Sequence, residues 1–140
     1  MCKKFFIERW VEMTRNDAVK FIVKKYLNMH NILAADFARK CEVSKPFISK
    51  IINSIQGKFG ISSAYIQKLA KGMNISVSEF EDMIAEYLST GTIISIENRF
   101  IIGEIRIELF RFNEEELKTL HSIIKKTNSN NLKRLEKNME

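Results

Sequence analysis

Helix-start signals recur at short intervals along the N-terminal part of the chain. Thr14 and Asp17, and again Ser76 and Glu79, have the spacing of a capping box, in which each side chain caps a backbone N–H of the other residue. Apolar residues follow these signals three and four positions apart, which is the period of an amphipathic helix. The pattern predicts five short helices between residues 16 and 90 and is typical of a small helical domain.

The second and third of these helices are joined by a tight turn. Phe37, Ala38 and Cys41 share one face of the second helix. Ser44 is a typical N-cap for the third helix, and Pro46 suits a first helical turn because its missing N–H has no helical partner there. Two short helices joined in this way are the physical form of a helix-turn-helix.

The third helix has an apolar face and a polar face. Ile48, Ile51 and Ile52 recur at helical spacing and are expected to face inward. The opposite face carries four polar side chains: Lys45, Ser49, Lys50 and Asn53. We expect that face to contact a partner.

The positive charge of the chain is concentrated in the segment that contains these helices. The 140 residues include 23 Lys and Arg against 17 Asp and Glu, which gives a net charge of +6. Residues 15–72 alone carry eleven bases and three acids, whereas residues 73–91 carry four acids and no base. A basic segment of this kind makes nucleic acid a natural partner.

The sequence changes character after Gly91, where Ile and Phe become frequent. Ile105, Ile107 and Leu109 alternate with charged residues, which is the period of a strand with one exposed face. We expect this strand to pair with residues 93–97 and to form a β-hairpin.

A helix is expected after the hairpin. Asn113 and Glu116 have the spacing of a cap, and apolar residues continue at helical spacing for about three turns. Residues 127–140 are mostly polar and are expected to be frayed or ordered by a partner. Because an isolated hairpin is marginally stable in water, it must pack on its own helix, on the first domain or on a second copy. Self-association through residues 92–126 is the preferred interpretation.

Several classes of protein do not fit this sequence. Cys2 and Cys41 are the two cysteines and lie far apart, which predicts neither a disulfide framework nor a metal-ligand cluster. The apolar run near the N-terminus is too short for a signal peptide or a membrane span. Residues 1–15 are expected to be an extension that docks on the helical domain, with a membrane-surface helix as the alternative. The two distant cysteines fit a reducing cytoplasm best. Since no phosphate loop or catalytic constellation stands out, we expect a protein that is not an enzyme and has no cofactor.

Residues 34–53, with the sequence AADFARKCEVSKPFISKIIN, resemble the helix-turn-helix of the Cro/CI-type family of regulators, also called the Xre family. Ala38 stands where this family has a small residue at the contact between the two helices. Val43 and Ile48 occupy the family's apolar positions in the turn and the recognition helix. Residues 66–80 are similar to the family's fourth and fifth helices.

Together with the pattern of the later residues, the resemblance implies a mainly α fold. We expect a five-helix, lambda-repressor-like helix-turn-helix domain over residues 16–91, followed by the β-hairpin and helix of residues 92–126 and the polar tail of residues 127–140. Glu42 stands at the turn position that the family usually gives to Gly, at a modest cost if its φ is positive.

The resemblance implies that the third helix enters the major groove of double-stranded DNA. Polar side chains there can reach base edges, while Lys side chains neutralise phosphates and release counterions. Five residues are expected to contact bases: Lys45, Pro46, Ser49, Lys50 and Asn53. Two are expected to contact phosphates: Lys40 and Lys58. Phe47 is apolar, like Pro46, and both are expected to contact a thymine methyl.

These features predict a dimeric, sequence-specific transcriptional regulator, a repressor that reads an inverted repeat. Its half-sites would lie about one helical turn, or 34 Å, apart. The alternative is an autoregulating helix-turn-helix protein whose C-terminal segment binds and inhibits another protein, as antitoxins and some phage-encoded inhibitors do. The sequence leaves both alternatives open.

Overall fold

The structure is a computed structural model that describes residues 14–53 and 61–139. Within these ranges, the regular elements are all α-helices and no residue forms a strand. The helices are α1 (Arg15–His30), α2 (Ala34–Cys41), α3 (Lys45–Asn53), α4 (Ser63–Gly72), α5 (Val77–Thr90), α6 (Ile96–Leu109) and α7 (Glu114–Met139). The chain divides into two compact units, Met1–Glu104 and Ile105–Glu140. The mainly α character agrees with the prediction.

Both predicted capping boxes are present. Asp17 N–H donates to the Thr14 hydroxyl over 3.4 Å, and Thr14 N–H donates to the Asp17 carboxylate over 2.9 Å. At the start of α5 the same exchange joins Ser76 and Glu79, with both distances 3.0 Å. Each box satisfies two N–H groups near a helix start that have no helical carbonyl to bond. The caps therefore set where α1 and α5 begin.

The core of the first unit is organised around Tyr26, which is fully buried. Its ring centroid lies 5.4 Å from that of Phe37 on α2 and 5.2 Å from that of Phe100 on α6. His30 follows one turn later on α1, where its Nδ1 lies 3.0 Å from the Tyr26 carbonyl oxygen and its Nε2 contacts the Glu104 carboxylate. Aromatic contacts of this kind add to the free energy gained by apolar burial. They join α1, α2 and α6 within one core.

The predicted β-hairpin in residues 92–126 is wrong, because most of the segment expected to form its strands is the helix α6. Its buried residues Ile96, Phe100 and Gly103 recur three and four positions apart, which is the helical period. These three residues come before the alternating stretch on which the strand prediction was based. The alternating stretch also contains apolar residues four positions apart, so it fits a helix as well.

Gly103 brings α6 close to the turn that precedes α5. A Cβ atom at this position would lie 2.3 Å from the carbonyl oxygen of Asn74. One turn earlier on α6, the Arg99 guanidinium donates to the Glu86 carboxylate of α5 over 2.8 Å. The first part of α6 is therefore part of the same core as α1–α5.

The second unit contains the end of α6 and the whole of α7. Asn113 caps α7 as predicted, since Glu116 N–H donates to the Asn113 side chain over 2.9 Å. α7 is 26 residues long, well beyond the three turns expected, and it includes most of the predicted polar tail at residues 127–140. Leu132 and Leu135 continue its apolar spacing, but the Asn and Ser residues before them obscure that spacing in the sequence.

The predicted N-terminal extension, residues 1–15, lies outside the described residues except for its last two. Of these, Arg15 donates to both carboxylate oxygens of Glu81 on α5. This ion pair raises the pKa of Arg15 and lowers the pKa of Glu81, in both cases mainly through the side-chain hydrogen bond. Among the helices in the described ranges, none has the length and apolar character needed to cross a membrane.

Candidate nucleic-acid interface

A three-residue turn separates α2 from α3. Glu42 ends α2 in the left-handed conformation, with φ 57° and ψ 42°, which favours Gly because a Cβ atom is crowded there. Val43 N–H donates to the Ala38 carbonyl over 3.0 Å, and Glu42 N–H donates to the Arg39 carbonyl over 3.1 Å. These two bonds are typical of a Schellman motif. The reversal at Glu42 sets the direction in which the chain enters α3.

A cap and two buried side chains fix α3 on the core. Phe47 N–H donates to the Ser44 hydroxyl over 3.3 Å, so Ser44 caps α3 as predicted. Ile48 and Ile51 are fully buried. Pro46 lies in the first turn, where its missing N–H leaves no helical bond unmade. The rotation of α3 about its own axis therefore follows from its sequence.

The residues predicted to contact bases lie on one side of α3. Lys45, Pro46, Lys50 and Asn53 are exposed, and Ser49 is half-buried. Their spacing of one, four, five and eight positions from Lys45 confines them to one side of a helix. At a rise of 1.5 Å per residue they span about 12 Å along the helix. A helix is about 10–12 Å across with its side chains, so it fits into a major groove that is about 12 Å wide. We call these five residues the α3 surface.

The two residues predicted to contact phosphates differ in what the structure shows of them. Lys40 is exposed on α2, and its Nζ donates to the hydroxyl of the buried Tyr26. The same Nζ lies 5.1 Å from the centroid of the Tyr26 ring, within the range of a cation–π contact. An ammonium group has three donors, so Lys40 can keep this bond and still donate to a phosphate. Lys58 lies outside the described residues.

An aromatic pair beside α3 was not predicted from the sequence. The rings of Phe47 and Tyr65 stack with their centroids 4.2 Å apart and an interplanar angle of 22°. Tyr65 N–H donates to the Ser62 hydroxyl over 3.5 Å, just as Phe47 N–H donates to Ser44. The repeated spacing of a capping Ser followed three positions later by an aromatic residue is the signal that would have indicated the pair. Because Tyr65 covers one face of the Phe47 ring, the stack joins α3 to α4 and limits the thymine contact expected of Phe47.

Cys41 and Gly72 bring the ends of α2 and α4 into close contact. A Cβ atom added at Gly72 would lie 2.1 Å from the Cys41 Sγ. Cys41 is 2% exposed, and burial raises the pKa of its thiol to about 12. Since the thiolate is the nucleophile, Cys41 is an unreactive core residue, as its helical spacing predicts.

Bases outnumber acids on α1, α3 and α4, and α1 carries four bases and one acid. α3 and α4 together carry four Lys and no acid, whereas α5 carries four acids and no base. Lys45 and Lys50 form no ion pair with any residue in the described ranges. Two of the α5 carboxylates, by contrast, are bound to Arg side chains of α1 and α6. The α3 surface therefore carries two Lys charges that no described carboxylate neutralises.

No known protein family, curated protein or solved structure matches this chain. Within residues 14–53 and 61–139, no three His, Cys, Asp or Glu side chains come together as a potential metal site. The α3 surface and Lys40 form the candidate site with the clearest geometry.

Proposed function

We propose that this chain is a sequence-specific DNA-binding transcriptional regulator of the Cro/CI type, which acts as a dimeric repressor in the cytoplasm. The observation that supports this proposal is the α3 surface: a short helix with a basic outer side, backed by the fully buried Ile48 and Ile51. In this proposal the chain binds DNA and performs no catalysis.

The side chains of α3 have complementary roles in the proposed complex. Ser49 and Asn53 can donate and accept hydrogen bonds at base edges in the major groove. Lys45 and Lys50 can donate to guanine or to phosphate. Pro46 offers an apolar contact near the start of the helix. Position along the duplex then comes from phosphate contacts, and sequence preference comes from the bases.

Lys40 is suited to a phosphate contact because Tyr26 holds its ammonium group in place. A side chain that is already ordered loses less conformational entropy when it binds. The proposed role of Lys58 rests on its place in the sequence after the recognition helix. Together with the charges of α3 and α4, these Lys residues supply the sequence-independent part of the affinity.

The proposed partner is a second copy of the chain. The two copies associate through the segment after Gly91, for which the sequence predicts self-association at residues 92–126. Two α3 helices related by a two-fold axis would enter successive major grooves on one side of the duplex. The half-sites would then lie about 34 Å apart and form an inverted repeat.

Selection of bound duplexes from a random DNA library tests this proposal. We expect enrichment of a two-fold symmetric site, whose affinity falls with salt at a logarithmic slope of about −0.9 for each phosphate neutralised. Absence of any enriched sequence would contradict sequence-specific binding.

Single substitutions on the α3 surface test the individual roles. Lys50→Ala weakens binding to all sequences about equally and lowers the salt slope by about 1 if Lys50 contacts phosphate. Ser49→Ala and Asn53→Ala each relax preference at one base pair, by about 1–3 kcal/mol for a well-placed pair of hydrogen bonds. Lys118→Ala removes the same charge from α7 and serves as the control, with unchanged base preference. Equal losses on every sequence would rule out base contacts by Ser49 and Asn53.

A further inference from the structure

α7 is a long helix with an uncovered apolar face. None of its described side chains is buried, and Leu132, Leu135 and Met139 are 60%, 59% and 87% exposed. Helices in proteins owe most of their stability to packing of an apolar face rather than to intrinsic propensity. We therefore expect the exposed apolar face of this 26-residue helix to pack against a partner surface.

Five of the seven apolar residues of α7 lie along one line of the helix, and the other two, Leu120 and Ile123, lie to one side of it. Leu117, Ile124 and Leu135 are separated by seven and eleven residues, which is close to two and three helical turns. Asn128 lies on the same line, four positions after Ile124. An open groove of about 420 Å³ lies beside the first part of this line, and its lining includes Leu109, Leu117 and Ile124. We call this line the α7 stripe, and it comprises Leu117, His121, Ile124, Asn128, Leu132, Leu135 and Met139.

The charges of α7 are distributed unevenly along its length. Residues 114–121 include three Glu and one Lys, whereas residues 125–139 include five Lys and Arg and one Glu. In a parallel pair of these helices, acidic ends would face each other, and so would basic ends. In an antiparallel pair each acidic end faces a basic end, which is favourable. The charge pattern therefore points to a second α7 running in the opposite direction.

We propose that the α7 stripe pairs with that of a second copy of this chain in antiparallel orientation, with the two-fold axis at Asn128. In this register Leu117 lies opposite Met139 of the other copy, and Ile124 lies opposite Leu132. The inference rests on the proposed dimer for the presence of a second copy, and it adds the surface, direction and register.

Asn128 explains why this register is preferred over registers in which the two helices are shifted along each other. At the axis its side chain meets the same side chain of the other copy, and an amide can both donate and accept hydrogen bonds. A shift of the register would place Asn128 against an apolar residue and leave its amide without a partner. Single Asn residues in the seam of paired helices fix register in this way, at some expense in stability.

Disulfide trapping measures direction and register without DNA. Ile124→Cys and Leu132→Cys are made separately in full-length chains that carry Cys2→Ser, and Cys41 is retained because it is buried. One of the two proteins carries a mass tag. After mixing and mild oxidation, we expect a covalent dimer of the tagged with the untagged chain.

The same two proteins oxidised separately provide the control. In the antiparallel register neither variant places its new thiol next to itself, so neither gives a covalent dimer alone. A covalent dimer of Ile124→Cys alone would indicate parallel helices, and it would overturn this inference while leaving the proposed DNA-binding dimer intact. A chain that is monomeric at all concentrations would overturn both.

A matched pair of substitutions tests the surface itself. Ile124→Glu places a carboxylate in the stripe, whereas Asn130→Glu adds the same charge on the side of α7 opposite the stripe. Sedimentation equilibrium is expected to show that Ile124→Glu weakens self-association by about 100-fold or more, since an unpaired buried charge is strongly unfavourable. Asn130→Glu is expected to leave association within a few-fold of the unsubstituted chain. Equal effects of the two substitutions would show that the stripe is not the interface, and circular dichroism checks that both proteins remain helical.

Discussion

Substitution of Gly72 by Ala tests how α2, the first helix of the proposed DNA-binding motif, is held against α4. The new Cβ atom would lie 2.1 Å from the Cys41 Sγ. Since non-bonded heavy atoms are most stable about 3.5–4.0 Å apart, the two atoms would be at least about 1.4 Å too close. The Cα and Cβ atoms of Cys41 are each 3.3 Å from the same point, so relief requires movement of Cys41 or of a helix end.

The expected loss of stability follows from two opposing effects. Overpacking of a core typically costs about 1–3 kcal/mol. Ala in place of Gly favours the helix by up to about 1 kcal/mol. We therefore expect Gly72→Ala to lower the free energy of unfolding by about 1–2 kcal/mol, which corresponds to a fall in Tm of about 4–16 °C for a domain of this size.

A double-mutant cycle with Cys41→Ala isolates this contact. Cys41→Ala removes Sγ, and the remaining atoms of residue 41 lie 3.3 Å from the new Cβ, a distance that small shifts accommodate. Gly72→Ala should then be nearly neutral in that background, with a coupling energy of about 1–2 kcal/mol. Urea unfolding of the four proteins, followed by circular dichroism, measures each free energy. If Gly72→Ala has the same cost in both backgrounds within about 0.5 kcal/mol, the contact does not explain the glycine.

Three further predictions concern stability. Glu42→Gly relieves the steric strain of the left-handed φ of 57° and is expected to raise the free energy of unfolding by about 0.5–1 kcal/mol. This is less than the full steric gain, because Gly also increases the entropy of the unfolded chain. A lower Tm would contradict this prediction. Gly103→Ala is expected to lower Tm more than Gly72→Ala does, because its Cβ would lie 2.3 Å from the carbonyl oxygen of Asn74, a backbone atom that cannot rotate away. The folded-state pKa of Glu81 is lowered by its hydrogen bond with Arg15. The pair therefore stabilises the fold fully above the ordinary carboxyl pKa, and this stabilisation is lost as pH falls from there through the lowered pKa of Glu81. Glu81→Gln should therefore be less stable at pH 7, by a few tenths of a kcal/mol for such an exposed pair, and this difference should shrink as pH is lowered through the carboxyl pKa range. A difference independent of pH would show that the charge is not responsible.

The sequence was most informative where a helix carries its own start signal. The cap residues Thr14, Ser76 and Asn113 each stand immediately before an observed helix. Capping acts between residues three positions apart, so the information lies within a few residues of sequence. The same locality made the buried positions Ile48 and Ile51 predictable from their spacing.

The β-hairpin prediction failed because alternation over five residues is weak information about structure. Ile105 and Ile107 alternate with charged residues, but both remain exposed in the helix. The residues that decide the fold are Ile96, Phe100 and Gly103, which are buried at helical spacing. The close approach of Gly103 to Asn74 involves residues distant in sequence, and no local pattern reports such a contact.

The candidate site shows the same division between local and distant contacts. Helical spacing shows which residues of α3 share one side, so the α3 surface could be predicted from the sequence. The position of Lys40 could not, because the hydroxyl that orients it belongs to Tyr26 on another helix. A Lys that resembles a solvated surface charge in the sequence is thereby placed at a defined point on α2.

If this placement matters for binding, Tyr26→Phe, which removes only the hydroxyl, should weaken binding to all DNA sequences alike and leave the preferred site unchanged. A change in the preferred site measured by library selection would contradict a phosphate role for Lys40.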